Sequence, residues 1–232
     1  MAAPEGYIEW INSHLGFNPR SQANSDALSD LVVTDLRQMC PAIRSALDRG
    51  DLNARKNPGI RTAVAERSID LVLHENGEAP QISVRVSVEH KTIMTAHGKA
   101  RKNRYGDIIA YANHMHNHSR KCVAGAIVVV NVSPLYQNPD AFARALLRPP
   151  KSKMEKVVRD TVSIFEKIPR RDTPDDPGEL PEALAVIVVD YDGVNVSRLV
   201  TGPLAPQPTN AVYYDNFIER ICDLYRGRFS GE

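Results

Sequence analysis

Apolar and polar positions along the chain fall into two rhythms, one of strands and one of helices. Between residues 82 and 91, Ile82, Val84, Val86 and Val88 alternate with Ser83, Arg85, Ser87, Glu89 and Lys91. A period of two predicts a strand with one buried face, and it sets Glu89 and Lys91 on the same side. Residues 68–74 also read as a strand, and Asn76 to Pro80 (NGEAP) supply turn residues that would fold the two back as an antiparallel hairpin. Asp70 then lies beside Glu89. The unbroken apolar run within residues 121–133 predicts a strand buried on both faces. Residues 184–191 and 194–200 read as a further hairpin around Asp192-Gly193.

The helical rhythm is clearest from Asn24 or Ser25 onward, where Leu28, Leu31, Val32, Leu36 and Met39 form one stripe with Asp35 in its middle. A break is expected at Cys40-Pro41 and an end near Gly50. Residues 51–59 read as a polar loop. Residues 8–15 form a short helix carrying Trp10, and residues 99–117 a longer one with Tyr105, Ile108, Ile109 and Ala112 inward. Asn138-Pro139 opens a short helix to Leu147. After Pro149-Pro150 another places Met154, Val157, Val158, Thr161, Phe165 and Ile168 inside. Residues 170–181 read as the most flexible internal stretch, being acidic and proline-rich. Residues 203–208 read as extended, and a closing helix covers about 213–226.

Composition alters this picture little, but charge distribution does. At 232 residues with 42% hydrophobic and 25% charged positions, the chain suits one α/β domain with a single substantial core. The net charge of +1 conceals two basic blocks: residues 91–121 carry seven Lys/Arg against one acid, and residues 144–171 nine against three. Such blocks suit a polyanion, although a solvated helix face reads the same way. Acids at Glu5 and Glu9 do not fit a signal peptide, and no apolar run reaches the ~20 residues of a membrane span. Three widely spaced cysteines argue against a disulfide framework and a structural zinc, so a reducing, cytoplasmic location is expected. His114, His116 and His118 sit two apart on a helix and cannot converge on a metal.

Two carboxylates and an ammonium on a rigid hairpin make a site for a hard cation. Mg²⁺ takes oxygen ligands and is commonly held by one or two carboxylates together with substrate phosphates. Asp70, Glu89 and Lys91 resemble the PD-(D/E)XK nuclease motif, with Ile69 where the motif name has proline. The resemblance spans roughly residues 30–132 and is most like a type II restriction endonuclease. It implies a restriction-endonuclease-like α-β-β-β-α-β core with a mixed central sheet flanked by helices. That core would occupy about residues 24–133 of a single nuclease domain, and residues 134–232 would add a C-terminal hairpin and helices for recognition or dimerisation.

The activity so implied is Mg²⁺-dependent hydrolysis of DNA phosphodiester bonds, with Mn²⁺ able to substitute. Asp70, Glu89 and the backbone carbonyl of His90 would hold the metal, and Lys91 would orient or deprotonate the attacking water. Asp35 stands either as a further acid at the metal or as a buried carboxylate paired with a base. Glu66 is expected to be an exposed salt-bridging residue. Lys99, Arg101, Lys102 and Arg104 would contact phosphates, with Arg101 looking towards Glu89 and Lys91. The resemblance further implies double-stranded DNA as substrate, a homodimer, no membrane association and a separately acting methyltransferase. Other readings are a repair, recombination or antiphage nuclease, a non-catalytic nucleic-acid-binding module on the same fold, and a plain strand salt bridge in an unrelated protein.

Overall fold

The structure is a computed structural model that describes residues 2–19, 21–75, 83–95, 97–136 and 151–229. Two helices begin it: α1 (Ala3–Ser13) and α2 (Gln22–Met39), the latter capped by Ser21, whose side chain accepts from the Asn24 N–H. Pro41 cannot continue α2, so Cys40 breaks the helix and α3 (Pro41–Asp48) starts on a new axis. Gly50, at φ 75°, then reverses the chain.

Residues expected to be a loop instead form β1 (Leu52–Lys56). Its polar sequence hid it because it is an edge strand: Leu52 alone is buried, and the charged Arg55 and Lys56 protect the open edge. A small separate hairpin follows, β2 (Gly59–Arg61) with β3 (Glu66–Ser68). The strand expected over 68–74 is thereby divided. It bends at Ile69 and Asp70 and resumes as β4 (Leu71–Glu75). The expected turn at 76–80 lies outside the described residues, but β4 pairs antiparallel with β5 (Val84–Ile93), Leu71 opposite Val88.

After β5, α4 (His97–His118) leads to β6 (Val123–Asn131), parallel to β5 and buried at every position, as its unbroken apolar run predicts. The helix expected at 138–147 lies outside the described residues. Further on come α5 (Lys151–Glu166), β7 (Ala183–Asp190), the two-residue β8 (Arg198–Leu199) and α6 (Tyr214–Phe229). The large sheet has the order β1-β4-β5-β6-β7-β8, parallel only through β5, β6 and β7. Alternation sends Val86, Val88, Ile127 and Ile187 to one face under α1, α2, α3 and α6, and Ala126, Val128 and Val186 to the other under α4 and α5. The protein is therefore α/β, a mixed sheet flanked by helices.

Further expectations need correction: of residues 194–200 only Arg198–Leu199 form a strand, and residues 203–208 contain turns rather than an extended run. Tyr105 is 40% exposed rather than inward, although its spacing sets it on the same helical face as Ile108, Ala112 and Met115. Met39, expected in the α2 stripe, is likewise 40% exposed, at the last residue of that helix. The cysteines are not all free. Cys40 and Cys222 form a disulfide with Cα atoms 5.4 Å apart, joining the α2–α3 break to α6, and leave only Cys122 unpaired and buried. Wide spacing concealed this pair, since 182 residues separate two positions that packing brings together.

The acidic loop before β7 is also tied down rather than loose. Arg171 is 1% exposed and donates to the carbonyls of Asp176, Arg120 and Pro174, so the loop wraps around its guanidinium. Among the described residues no helix is long and apolar enough to cross a membrane.

Candidate active site

Asp70 owes its position to the bend between β3 and β4. Asn57, at φ 56°, donates its backbone N–H to the Asp70 carbonyl at 3.1 Å and its side-chain amide to Asp26 of α2 at 2.6 Å. Asparagine is among the few residues that adopt such a conformation readily. From α2, Ser29 reaches the same carbonyl at 3.3 Å. One turn earlier, Ser25 donates to Asp70 Oδ1 at 2.6 Å, while the backbone N–H of His90 donates to Oδ2 at 2.7 Å. The carboxylate is thus aimed by two donors, and each oxygen keeps a lone pair.

Across the hairpin, one step past the Leu71–Val88 pair, stands Glu89. It is only 3% exposed, and its Oε1 accepts from Arg67 at 3.1 Å and from Lys91. Its other oxygen, Oε2, is buried with no hydrogen-bond partner among the described residues. Burial holds the Glu89 carboxyl above the ordinary range; Lys91 pulls it down, the nearby Asp70 charge pushes it up, and Arg67 lowers it again. The guanidinium of Arg67 also lies 5.9 Å from the Tyr111 ring centroid. Tyr111 hydrogen-bonds Ser87, which shows that this side of β5 faces α4.

His90 points the other way, with Nδ1 3.4 Å from the Ser25 hydroxyl and Nε2 buried without a partner among the described residues. Burial depresses its pKa to about 4, so the ring is neutral near pH 7. In an antiparallel ladder the N–H and C=O of one residue point to the same side. The His90 carbonyl therefore faces the Asp70 edge, as its N–H does.

Asp70, Glu89, Lys91 and the His90 backbone come together, but Asp35 does not join them. It lies ten residues beyond Ser25 on α2, ~15 Å along the axis. There it is 2% exposed and accepts the Ala3 N–H at 2.6 Å, at the start of α1. Burial raises its pKa, against the stabilising effects of that bond and of Tyr214. It is a buried carboxylate satisfied by a helix N-terminus, so the metal alternative is corrected by distance. Glu66 pairs with Arg61 on the exposed hairpin, as expected.

The basic start of α4 divides in two. Lys99 and Lys102 are exposed. Arg101 turns towards Asp160 of α5, at 3.9 Å, rather than towards Glu89 and Lys91. Arg104 is held by Asp107. The three histidines at the end of α4 splay apart: His114 and His118 reach the carbonyls of Ile60 and Arg61, and His116 reaches Gly178 and Glu182.

Among the described residues, no three His, Cys, Asp or Glu side chains cluster to hold a metal. Two carboxylates with a backbone carbonyl nevertheless suit Mg²⁺, which retains waters and takes oxygen from its substrate. The buried, unpartnered Glu89 Oε2 fits such an ion, since a desolvated acceptor without a donor is costly unless a cation is offered to it.

Sequence reading missed Ser25, Asn57 and Arg67 at this site. Ser25 and Ser29, four apart on one face of α2, were the available signal. A second buried cluster escaped it entirely. Glu182 is 0% exposed and accepts from Ala124 N–H at 2.9 Å, His116 Nε2 at 2.9 Å, Arg171 at 3.2 Å and Arg228 at 2.7 Å. Comparison of the chain with family models, curated proteins and solved structures finds no match to any of them.

Proposed function

We propose that the protein is a metal-dependent nuclease of the PD-(D/E)XK kind that hydrolyses DNA phosphodiester bonds, and that it acts as a type II restriction endonuclease. The observation that carries this reading is the buried Glu89 carboxylate, with one oxygen unpartnered, opposite an oriented Asp70 and beside Lys91. The sheet supports it too: an antiparallel hairpin bearing the acids, then a helix, then a parallel strand, is the order that the resemblance implies.

Asp70, Glu89 Oε2 and the His90 carbonyl would hold Mg²⁺ or Mn²⁺. When bound, that ion supplies charge stabilisation at the phosphoryl oxygens and lowers the pKa of a water. Lys91, its ammonium held against Glu89, would orient the attacking water by donating a hydrogen bond to it. Ser25 and the His90 N–H keep Asp70 from rotating away. Arg67 neutralises part of the Glu89 charge before substrate arrives. Lys99 and Lys102, exposed on the first turns of α4, approach backbone phosphates. A homodimer would present two such sites to the two strands of double-stranded DNA. A separately acting methyltransferase belongs to the same reading, as does a cytoplasmic location, against which the Cys40–Cys222 disulfide counts.

The test is incubation with supercoiled and linear plasmid DNA of different methylation states, in Mg²⁺ or EDTA, beside Lys91→Ala. Discrete fragments in Mg²⁺ alone, slowed ~10²–10⁴-fold by the substitution, support a sequence-specific nuclease. Smearing or nicking assigns a repair or antiphage nuclease instead. Intact DNA with no metal uptake by calorimetry sinks the catalytic reading and leaves Glu89, Lys91 and Arg67 as a strand ion pair.

A further inference from the structure

Beyond the carboxylates, β5 runs on into a cleft that the reaction outlined above does not use. Thr92 and Met94 follow His90 on the same face of the strand, so the cleft opens one strand repeat, ~7 Å, past His90. Thr95, Asn18, Pro19 and Tyr136 also line it, together with Ala100 and Arg104 of α4. This is the carboxyl end of a parallel strand feeding a helix, where open α/β sheets place their ligands.

Arg104 is the charged group of the cleft. Its Nη1 is fixed by Asp107 at 2.5 Å, whereas its Nε is buried and has no partner among the described residues. A guanidinium held at one nitrogen and unsatisfied at another is set to receive an oxyanion. The cleft is open to solvent and has room for several waters, about 40 Å³ by the measure on which one water needs ~10–15 Å³. A tetrahedral phosphate group suits it.

We propose that this cleft is a second phosphate subsite, taking the phosphodiester next to the one that reacts at Asp70 and Glu89, with Arg104 as its cation and Thr92 and Thr95 as polar walls. The assignment rests on the nuclease reading for its choice of a polynucleotide. Arg104 thereby acquires a role distinct from the exposed Lys99 and Lys102: it reads where the strand lies, while they add only charge to the approach.

The experiment measures fluorescence anisotropy of a labelled DNA duplex in EDTA across a salt series, for the wild-type chain, Arg104→Met, Arg104→Lys and Thr95→Glu. A lost phosphate contact makes the slope of log K against log salt shallower by about 0.9. That change is expected in Arg104→Met and Thr95→Glu, with affinity down ~10-fold, and Arg104→Lys should restore the slope. Millimolar inorganic phosphate should compete with DNA in the wild-type chain more than in Arg104→Met; equal competition in both would place free phosphate elsewhere and count against the subsite. An unchanged slope in Arg104→Met and Thr95→Glu, with melting curves like the wild type, overturns the proposal, as does a wild-type chain that binds no DNA. Plasmid cleavage is scored separately. Cleavage with an unchanged slope removes the subsite alone, and a changed slope without cleavage keeps the subsite and removes the nuclease.

Discussion

Glu89 and Glu182 are the same residue type in comparably dry surroundings, and the structure treats them in opposite ways. Glu182 has a donor on every side: a backbone N–H, a histidine and two arginines. Although burial opposes it, His116 and Arg228 hold its carboxyl below the ordinary range. Glu89 has two cations on one oxygen, no partner among the described residues on the other, and a carboxyl above the ordinary range. A carboxylate that serves the fold is satisfied by the fold. One that is left partly unsatisfied, beside a second oriented acid and a lysine, is available to something outside the chain.

The largest expected difference between the two is in stability. Glu182→Gln leaves Arg171 and Arg228 buried without their counter-charge and should cost ~3–5 kcal/mol in urea denaturation. Glu89→Gln removes a charge that is costly to bury and should shift stability by no more than ~1 kcal/mol, while abolishing Mg²⁺-dependent cleavage. Equal losses in the two variants would erase the distinction on which the active-site assignment depends.

Cys222→Ser sharpens the comparison by separating the covalent fastening of α6 from the ionic one at Arg228. The disulfide closes a long loop, and removing it should cost ~2–4 kcal/mol, read as a lower melting temperature that dithiothreitol reproduces in the wild type. The Glu89 site lies on other elements, so cleavage at 25 °C should survive.

A smaller effect is expected from Ser25→Ala, which removes the donor to Asp70 Oδ1. Groups that orient a metal ligand are typically worth 10–100-fold in metal affinity. Calorimetric titration with Mn²⁺ should show a loss of that order with an unchanged melting temperature. No loss would mean that the His90 N–H alone orients Asp70.

The finest test is the sign of the pH dependence. The Glu182 pKa is lowered on folding from about 4.5, so its stabilisation is present above pH 4.5 and is lost as pH falls through the folded value. The Glu89 pKa is raised, so the cost of burying its charge is complete above the folded value and is relieved as pH falls towards 4.5. Between neutral pH and pH 3, the stability of the wild type relative to Glu182→Gln should decline on acidification. Relative to Glu89→Gln it should improve. Slopes of the same sign would show that the two carboxylates are not in opposite states.

What the sequence determined by itself was whatever depends on local periodicity. The alternation through Val84, Val86 and Val88 specifies β5 and puts Glu89 and Lys91 on one side, because a strand has a period of two wherever it sits. The unbroken apolar run specifies β6, and Pro41 specifies the break after α2. Asp70, Glu89 and Lys91 were legible because a hairpin's pairing is nearly local. Tertiary structure alone decided the rest. The strand β1 is polar because its edge is open, and only its neighbour β4 makes it a strand. Asp35 satisfies α1 rather than the hairpin because distance along α2 carries it away. Cys40 finds Cys222, and Glu182 finds Arg171, Arg228 and His116, through packing between elements far apart in the chain. Ser25 and Arg67 flank the acids for the same reason: a hydrogen bond depends on distance in space, and sequence order records only distance along the chain.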